Sequence, residues 1–309
     1  MLNNKYIKFC SVILVATFLF TGCSKKTESL LLSPSVGVTG VSGKCTQVDN
    51  SAFPENRAFL SVWDQNKTML TSFAIGNFTV LEDDKPCVIK GVQKVNNDLD
   101  PLAVSIIIDR SGSIYGQPTI DATNAAVAFV QSLGTSDSAQ IINFSTTIKV
   151  SQGFTTNKSD LISAIQRTSD YEFEATSLYD AIGKGVEDVS KQRGRKLVIV
   201  MTDGADTSSS TYTVESIISK ANQNGLAVYT IGIGEAEASV LGSIANGSSG
   251  ATFSGTSSQL NSIYLEILTQ LKNQVQISYR SILQDKPRTI QVYLHYGYFT
   301  AKFSRIYSY

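Results

Sequence analysis

Three oxygen-bearing side chains at alternate positions could bind a metal ion. Asp109, Ser111 and Ser113 follow directly on the apolar run 103–108. Side chains two positions apart tend to share a face in extended chain, so one carboxylate and two hydroxyls can be directed at one point. Such hard ligands suit Mg²⁺, Mn²⁺ or Ca²⁺ rather than Zn²⁺. The pattern predicts a divalent-metal site, and Mg²⁺ is the ion we expect first.

Two more segments are expected at the same place. Asp203 stands in Thr-Asp-Gly directly after the apolar run 197–201, and Thr176 precedes the helical pattern of 177–192. In open α/β sheets, ligands bind beyond the carboxyl ends of the strands. The segments that carry Asp203 and Thr176 should therefore meet the Asp109 loop.

The order of these motifs resembles the metal-ion-dependent adhesion site (MIDAS) of von Willebrand factor A-type (VWA) domains, over roughly residues 100–275. The resemblance implies that Ser111, Ser113 and Thr176 bind the metal through hydroxyls. It also implies that Asp109 and Asp203 bind it directly or through water. Two carboxylates roughly neutralise a dication, and a six-coordinate ion then keeps one position for a carboxylate from a partner.

The loop before Thr176 departs from the family pattern. Many relatives have Gly-Gly there, whereas this chain has Glu172-Phe173-Glu174-Ala175. Either glutamate could shield the open metal position or bind the ion, and the alternative is a solvated acidic loop.

The elements that must position these residues alternate along the chain. Apolar runs predict buried strands, and residues at helical spacing predict helices between them. This alternation predicts an α/β fold with a doubly wound, mostly parallel sheet flanked by helices, VWA-type and Rossmann-like. The predicted strands are 103–108, 139–144, 197–201 and 226–233, and the predicted helices are 119–133, 160–167, 177–192, 214–222 and 258–273.

Both ends of the chain carry strand patterns instead. Short β-like runs occur before Pro101, and residues after 275 alternate apolar and polar side chains, with Ile290, Val292 and Leu294 on one parity. We expect one small accessory β module built from both ends. The predicted division is a signal peptide at 1–22, a tether at 23–55, the first part of the accessory module at 56–99, the VWA domain at 100–274 and the C-terminal strands at 275–309.

The N-terminus has the pattern of an export signal. Lys5 and Lys8 precede a short apolar run that ends at Gly22-Cys23. This segment resembles a bacterial lipoprotein lipobox, which implies cleavage after Gly22 and lipidation of Cys23. The protein would then be lipid-anchored to a membrane and extracytoplasmic, in the periplasm or at the cell surface.

Cys45 and Cys87 would remain in the mature protein besides Cys23. Disulfides persist outside the cytoplasm, so an even remainder favours a Cys45–Cys87 bridge. The alternative is two free thiols.

The sequence lacks the residues that several classes of function require. Lys and Arg balance Asp and Glu at 26 each, which argues against nucleic acid as a partner. No GxxxxGK[ST] loop is present, so no nucleotide is expected. The single histidine, His295, stands opposite in parity to its apolar neighbours and is expected at the surface rather than as a general base.

These observations predict a binding protein rather than an enzyme. Its metal would capture an Asp or Glu carboxylate of a protein ligand, in adhesion or another protein–protein interaction. A structural subunit of a cell-envelope complex, with the metal mainly stabilising the loops, is the alternative. A hydrolase is a third hypothesis, although no motif supplies its base.

Overall fold

The computed structural model describes residues 37–112, 116–167, 175–234, 236–282 and 288–308. The strands are β1 (Val41–Asp49), β2 (Glu55–Asp64), β3 (Phe78–Glu82), β4 (Lys85–Pro86), β5 (Val88–Lys94), β6 (Leu102–Asp109), β7 (Ser138–Phe144), β8 (Ile148–Thr155), β9 (Arg195–Thr202), β10 (Ala227–Ile233), β11 (Thr252–Gly255), β12 (Val275–Arg280), β13 (Arg288–Tyr296) and β14 (Phe299–Tyr307). The helices are α1 (Gln117–Ser132), α2 (Lys158–Ile165), α3 (Leu178–Ser190), α4 (Val214–Gln223), α5 (Ala238–Gly247) and α6 (Leu260–Lys272).

A six-stranded sheet forms the centre, in the order β11-β10-β9-β6-β7-β8. Its strands run parallel except β8, which is antiparallel to β7. Every residue of β6 is buried, because helices cover both faces. One hydrophobic cluster joins the sheet to α1, α2 and α6, and a second joins its other face to α3, α4 and α5. The predicted α/β fold with a mostly parallel sheet is confirmed.

Three elements of this part have no counterpart in the prediction. The edge strand β8 is only partly buried and mixes polar with apolar residues, so it shows no clear apolar run. The edge strand β11 has four residues, and α5 is rich in small residues. The two edge strands give weak periodicity because little of their surface is buried, and the small residues of α5 weaken its helical pattern.

The two chain ends form two further antiparallel sheets, ordered β1-β2-β12-β5 and β14-β13-β3-β4. Both sheets contribute to one hydrophobic cluster, in which Leu60 and Ile277 of the first meet Val80 and Val292 of the second. Each sheet therefore contains strands from both ends of the chain.

The tail strand β13 shows the predicted alternation. Ile290, Val292 and Leu294 are fully buried, whereas His295 is exposed. Tyr298 shares their parity but is fully exposed, because the strand ends at Tyr296 and Tyr298 lies in the turn before β14.

The tether interpretation of 23–55 is wrong for its second half. Residues from Val41 to Asp49 form β1, which pairs along its length with β2. Cys45 and Val48 of this strand are buried in the hydrophobic cluster of the two antiparallel sheets. Because the segment is rich in Ser, Thr and Gly, its sequence shows no clear strand pattern.

The predicted disulfide is also wrong, because Cys45 and Cys87 are free thiols. Cys45 lies on β1 and Cys87 immediately precedes β5, and these strands are opposite edges of one sheet. Neighbouring strands are about 4.8 Å apart, so three spacings alone put at least about 14 Å between the two edges that carry the cysteines. A disulfide needs Cα atoms within about 7 Å. Burial raises the pKa of Cys45 to about 11 and, with the charge of Glu82, that of Cys87 to about 12.

Arg305 of β14 joins these sheets to the central sheet at the side where its parallel strands begin, which we call the amino edge. The side where these strands end is the carboxyl edge. Its guanidinium is buried and donates to the carbonyl oxygens of Thr46 at 2.8 Å and Ser248 at 3.1 Å. It also donates to the carbonyl of Leu226, just before β10. Burial lowers its pKa to about 10, so it stays charged near neutral pH.

Arg195 anchors the same edge at the start of β9. It is buried and donates to the carbonyl oxygens of Asp100 at 2.8 Å and Leu271 at 2.6 Å. Gln274, in the link from α6 to β12, accepts from Arg195 at 3.1 Å. The last helix is therefore fixed to the amino edge at the point where the chain enters the antiparallel sheets.

Gly225 is required at this junction by its conformation and by its contacts. Its φ is +60°, a region that favours glycine. A Cβ there would lie 2.6 Å from the carbonyl oxygen of Val48 in β1.

None of the helices in the described part of the chain combines the length and the apolar character needed to span a bilayer.

Candidate metal centre

Asp109, the last residue of β6, is fully buried. Its Oδ1 accepts a hydrogen bond of 2.8 Å from the backbone N–H of Ser111. Its Oδ2 accepts one of 2.6 Å from the Thr202 hydroxyl, at the end of the neighbouring strand β9. Both carboxylate oxygens are thus held in one orientation.

The surroundings of Asp109 disfavour the ionised form of its carboxyl group. Burial raises its pKa, the hydrogen bonds from Ser111 and Thr202 oppose that rise, and the charge of Asp203 adds to it. Among the described residues, Asp109 forms no ion pair. A cation beside Asp109 and Asp203 would therefore be stabilised by both carboxylates.

Arg110 follows Asp109 in sequence but is directed elsewhere. Its side chain is buried and donates to Asn143 Oδ1 at 3.0 Å and to the carbonyl oxygen of Ile165 at 2.8 Å. Its backbone N–H donates to the carbonyl of Phe144 at 2.7 Å. Arg110 thus fixes the loop to β7 and α2.

Thr176 lies in the loop before α3 and is buried. Its N–H donates to the Thr207 hydroxyl at 2.8 Å. Its carbonyl oxygen accepts from the N–H groups of Thr207 at 2.8 Å and Ser208 at 3.2 Å. The Thr176 loop is therefore bound directly to the loop that follows Asp203.

Ser177 connects the same loop to the end of β7. Its N–H donates to the carbonyl of Ser145 at 2.7 Å, and its hydroxyl donates to the carbonyl of Thr146 at 2.8 Å. Phe144, just before Ser145, is the register partner of Asp109. Hydrogen bonds thus link the loops after β6, β7 and β9 and the loop before α3.

The predicted site residues divide into two groups. The described ones, Asp109, Ser111, Thr176 and Asp203, lie at the end of β6 or in loops at the carboxyl edge of the sheet, where its parallel strands end. Ser111 is buried and Asp203 is half-buried. Ser113, Glu172, Glu174 and Cys23 lie outside the described residues.

Some contributors to this edge are absent from the predicted set. The hydroxyl of Thr202 orients Asp109, and Thr207 and Ser208 hold the Thr176 loop. The run of five Ser and Thr residues at 207–211 was the available signal for these contacts. Such runs are typical of solvated loops, so the run does not by itself indicate these contacts.

Asp206, in the loop that follows Asp203, is half-buried. Its Oδ1 accepts from the N–H of Tyr179 at 3.1 Å and from the hydroxyl of Ser209 at 2.5 Å. It satisfies a free N–H in the first turn of α3, which stabilises that helix start.

The donor types at this edge limit how it can bind a cation. Among the described residues, no three His, Cys, Asp or Glu side chains are grouped so that they could hold a metal ion. An ion here would need hydroxyl oxygens in addition to the two carboxylates, and such a set suits a hard dication.

The family model for the von Willebrand factor type A domain matches residues 104–266, more than half of the chain. The chain belongs to this family. The matched region spans the central sheet from β6 to α6 and includes every described residue of the candidate site. A comparison with curated proteins finds no match.

Solved structures resemble the VWA fold of this chain at low sequence identity. A von Willebrand factor type A protein from Catenulispora acidiphila has a TM-score of 0.52 and 13% identity, covering 90% of this chain and 76% of its own. The proximal thread matrix protein 1 of the mussel byssus, with a zinc-occupied MIDAS motif, has a TM-score of 0.51 and 18% identity, covering 62% and 50%. BatB from Bacteroides thetaiotaomicron has 19% identity and a TM-score of 0.48, covering 56% and 100%. At these identities the first two likenesses show the fold alone.

Proposed function

We propose that this edge of the VWA domain is a MIDAS that holds a divalent cation, Mg²⁺ first, with Mn²⁺ or Ca²⁺ as substitutes. Its ligands would be Asp109, Ser111, Ser113, Thr176 and Asp203. The observation that carries the proposal is the buried carboxylate of Asp109, oriented at both oxygens and without a cationic partner among the described residues.

The residues present fit such an ion. Two carboxylates would roughly neutralise it, and neutral hydroxyls would add ligands without further charge. The ion would supply an electrophilic position for a carboxylate. The chain itself positions the ligands through Thr202, which orients Asp109, and Thr207, which holds the Thr176 loop.

The activity that fits this site best is capture of a protein ligand through its Asp or Glu side chain, without catalysis. No nucleic acid or nucleotide is expected as a partner. The ion would contribute charge and one coordination position, and the surrounding loops would contribute selectivity for the ligand.

A pull-down from envelope extract tests this function. Wild type should capture its partner with Mg²⁺ and lose it in EDTA, and Asp109→Ala should capture nothing in either buffer. Asp98→Ala is the matched control, because Asp98 is exposed and precedes β6 at the opposite edge of the sheet. Capture by wild type in EDTA, or by Asp109→Ala in either buffer, equal to that by wild type in Mg²⁺ would refute the proposal.

We also propose that the chain is held at a membrane, outside the cytoplasm, through lipid on Cys23. Each buried methylene contributes about 0.8 kcal/mol, so several acyl chains give stable anchoring. Palmitate should label the wild-type protein and not Cys23→Ser, and globomycin should block processing. A processed wild-type protein without label would refute the anchor.

A structural role in an envelope complex is the second candidate. It is favoured by the direct hydrogen bonds between the Thr176 loop and Thr207 and Ser208, which give this edge a fixed shape. In that case chelation would lower the melting temperature but leave association with the partner intact. Loss of association in EDTA favours carboxylate capture instead.

A further inference from the structure

A cavity of about 310 Å³ opens between the sheet β1-β2-β12-β5, the edge strand β11 of the central sheet, and α6. No described residue of the candidate metal centre lines it. Its walls include three aromatic side chains, two lysines and one carboxylate: Trp63, Tyr229, Phe253, Lys44, Lys67 and Glu266.

The indole of Trp63 lacks a hydrogen-bond partner. Its Nε1 is buried, and no acceptor for it is found within the described residues. Buried Trp N–H groups usually find one, since an unpaired buried donor loses its bond to water without replacement. An occupant whose acceptor reaches the indole nitrogen would satisfy this N–H.

The two lysines give the cavity an excess of positive charge. Lys67 Nζ lies 5.3 Å from the centroid of the Trp63 ring. Lys44 Nζ donates to Asn246 Oδ1 at 3.4 Å and to the carbonyl of Gly250, which are both neutral. Neither lysine forms an ion pair with a described carboxylate. Burial lowers the pKa of Lys44, as expected for an ammonium that lacks a counter-charge.

Glu266 of α6 offsets only part of this charge. It contributes one carboxylate to the lining against two ammonium groups, and it accepts a hydrogen bond from Gln270 at 3.2 Å. The balance of the lining side chains is therefore one positive charge, which favours an anionic occupant.

The aromatic side chains provide flat apolar surface beside these charges. Phe253 of β11 stacks on Tyr229 of β10, with ring centroids 6.4 Å apart and planes 15° from parallel. Tyr229 is buried, whereas Phe253 is half-buried at the edge of the sheet. A planar occupant could pack on these rings and on Trp63.

We propose that this cavity binds a small aromatic carboxylate. The carboxylate would accept the Trp63 N–H and lie within the field of Lys44 and Lys67, and the ring would pack on the aromatic wall. The cavity volume is at the lower end of the range for small-molecule pockets, about 300–1,000 Å³. This site is independent of the metal centre.

Trp63 is the only tryptophan of the chain, so the protein should give one indole resonance in a nitrogen–proton correlation spectrum. Hydrocinnamate is the probe and its neutral amide is the matched control, both titrated into the full chain in EDTA. The chelator prevents a metal-bound carboxylate, so failure here is separate from failure of the proposed MIDAS. The acid should shift the indole resonance downfield in a saturable way and bind about tenfold more tightly than the amide.

Two lysine variants locate the binding. Lys67→Gln should weaken hydrocinnamate about fivefold. Lys302→Gln should bind like wild type, because Lys302 stands 5.3 Å from the Tyr293 ring in the same arrangement but does not line this cavity. The proposal is overturned by equal binding of acid and amide, by no saturable shift up to about 10 mM acid, or by wild-type affinity in Lys67→Gln.

Discussion

Buried charged side chains have different kinds of partner at the two edges of the central sheet. At the amino edge, Arg195 and Arg305 are buried, and each donates to several carbonyl oxygens. At the carboxyl edge, Asp109 is buried beside Asp203 with no cationic partner among the described residues. The arginines take their main hydrogen-bond acceptors from within the chain, whereas the second arrangement would gain from a cation supplied from outside.

This difference distinguishes a structural edge from the edge that we propose to bind a cation. The arginines hold the antiparallel sheets and the end of α6 in place, so the frame of the site does not depend on a ligand. The carboxylate of Asp109 is held by short hydrogen bonds from Ser111 and Thr202, which orient it without neutralising its charge. Mutations at the two edges should therefore have different consequences.

The largest effect on stability is expected at the amino edge. Arg305→Met leaves the carbonyls of Thr46, Ser248 and Leu226 without this donor, and each unpaired buried acceptor costs about 1–3 kcal/mol. The free energy of unfolding, measured with denaturant, should fall by about 3 kcal/mol or more in Mg²⁺ and in EDTA alike. Lys302→Met on the same strand is exposed and should change it by less than about 0.5 kcal/mol. A small effect of Arg305→Met would remove the contrast between the edges.

At the carboxyl edge, the effect of a mutation on stability should depend on whether Mg²⁺ is present. Wild type should be stabilised by about 2.7 kcal/mol when Mg²⁺ is present at one hundred times its dissociation constant. Asp109→Asn should lose that gain. In EDTA it should be as stable as wild type or more stable, because a buried charge has been removed. Thermal unfolding with and without Mg²⁺ measures both, and marked destabilisation of Asp109→Asn in EDTA would assign Asp109 a structural role.

The hydroxyl of Thr176 should matter less than the carboxylate. Thr176→Ala should weaken Mg²⁺ binding about tenfold, or about 1.4 kcal/mol, whereas Thr176→Ser keeps the hydroxyl and should stay near wild type. Both variants retain the backbone bonds to Thr207, so the loop is preserved. Calorimetry with Mg²⁺ compares them, and equal affinity of the two variants would exclude Thr176 as a ligand.

The smallest effect concerns acid stability at the amino edge. Burial opposes ionisation of Asp49, but hydrogen bonds from Ser51 and Arg57 outweigh it and hold its pKa below the usual range. A lowered folded-state pKa gives stability above the unfolded value, about 3.9, that is lost as pH falls through the folded value. Arg57 is about one-third exposed, so solvent screening leaves about 0.5–1 kcal/mol.

Arg57→Gln should remove this part of the acid dependence. Denaturant unfolding between about pH 6 and pH 3 compares the variant with wild type, and their stabilities should converge at the acid end. A constant difference across that range would show that the Arg57–Asp49 pair contributes nothing that depends on pH.

Local sequence patterns predicted much of the carboxyl edge. The apolar run of β6 ends at Asp109, and the run of β9 ends just before Asp203, so the meeting of both loops followed from the parallel sheet. The bond from Thr202 to Asp109 joins residues 93 positions apart and could not be read from spacing. Nor could the Ser and Thr contacts that hold the Thr176 loop.

The amino edge was predicted less well because its polar residues are buried. In β1, Thr46 and Gln47 are buried, so the strand lacks a clear apolar pattern. Gln47 accepts from the N–H of Lys196 at 2.8 Å, and Thr46 accepts from Gln274 at 2.6 Å. These partners lie 149 and 228 positions away, beyond any local pattern.

The most direct test of the contrast is a count of bound ions, with Mn²⁺ titrated into the full chain and the free ion followed by electron paramagnetic resonance. Wild type and Asp98→Ala should bind one Mn²⁺ per chain that Mg²⁺ displaces, and Asp109→Ala should bind none. A wild-type chain that binds no ion, or an Asp109→Ala chain that binds Mn²⁺ as tightly as wild type, would contradict the account.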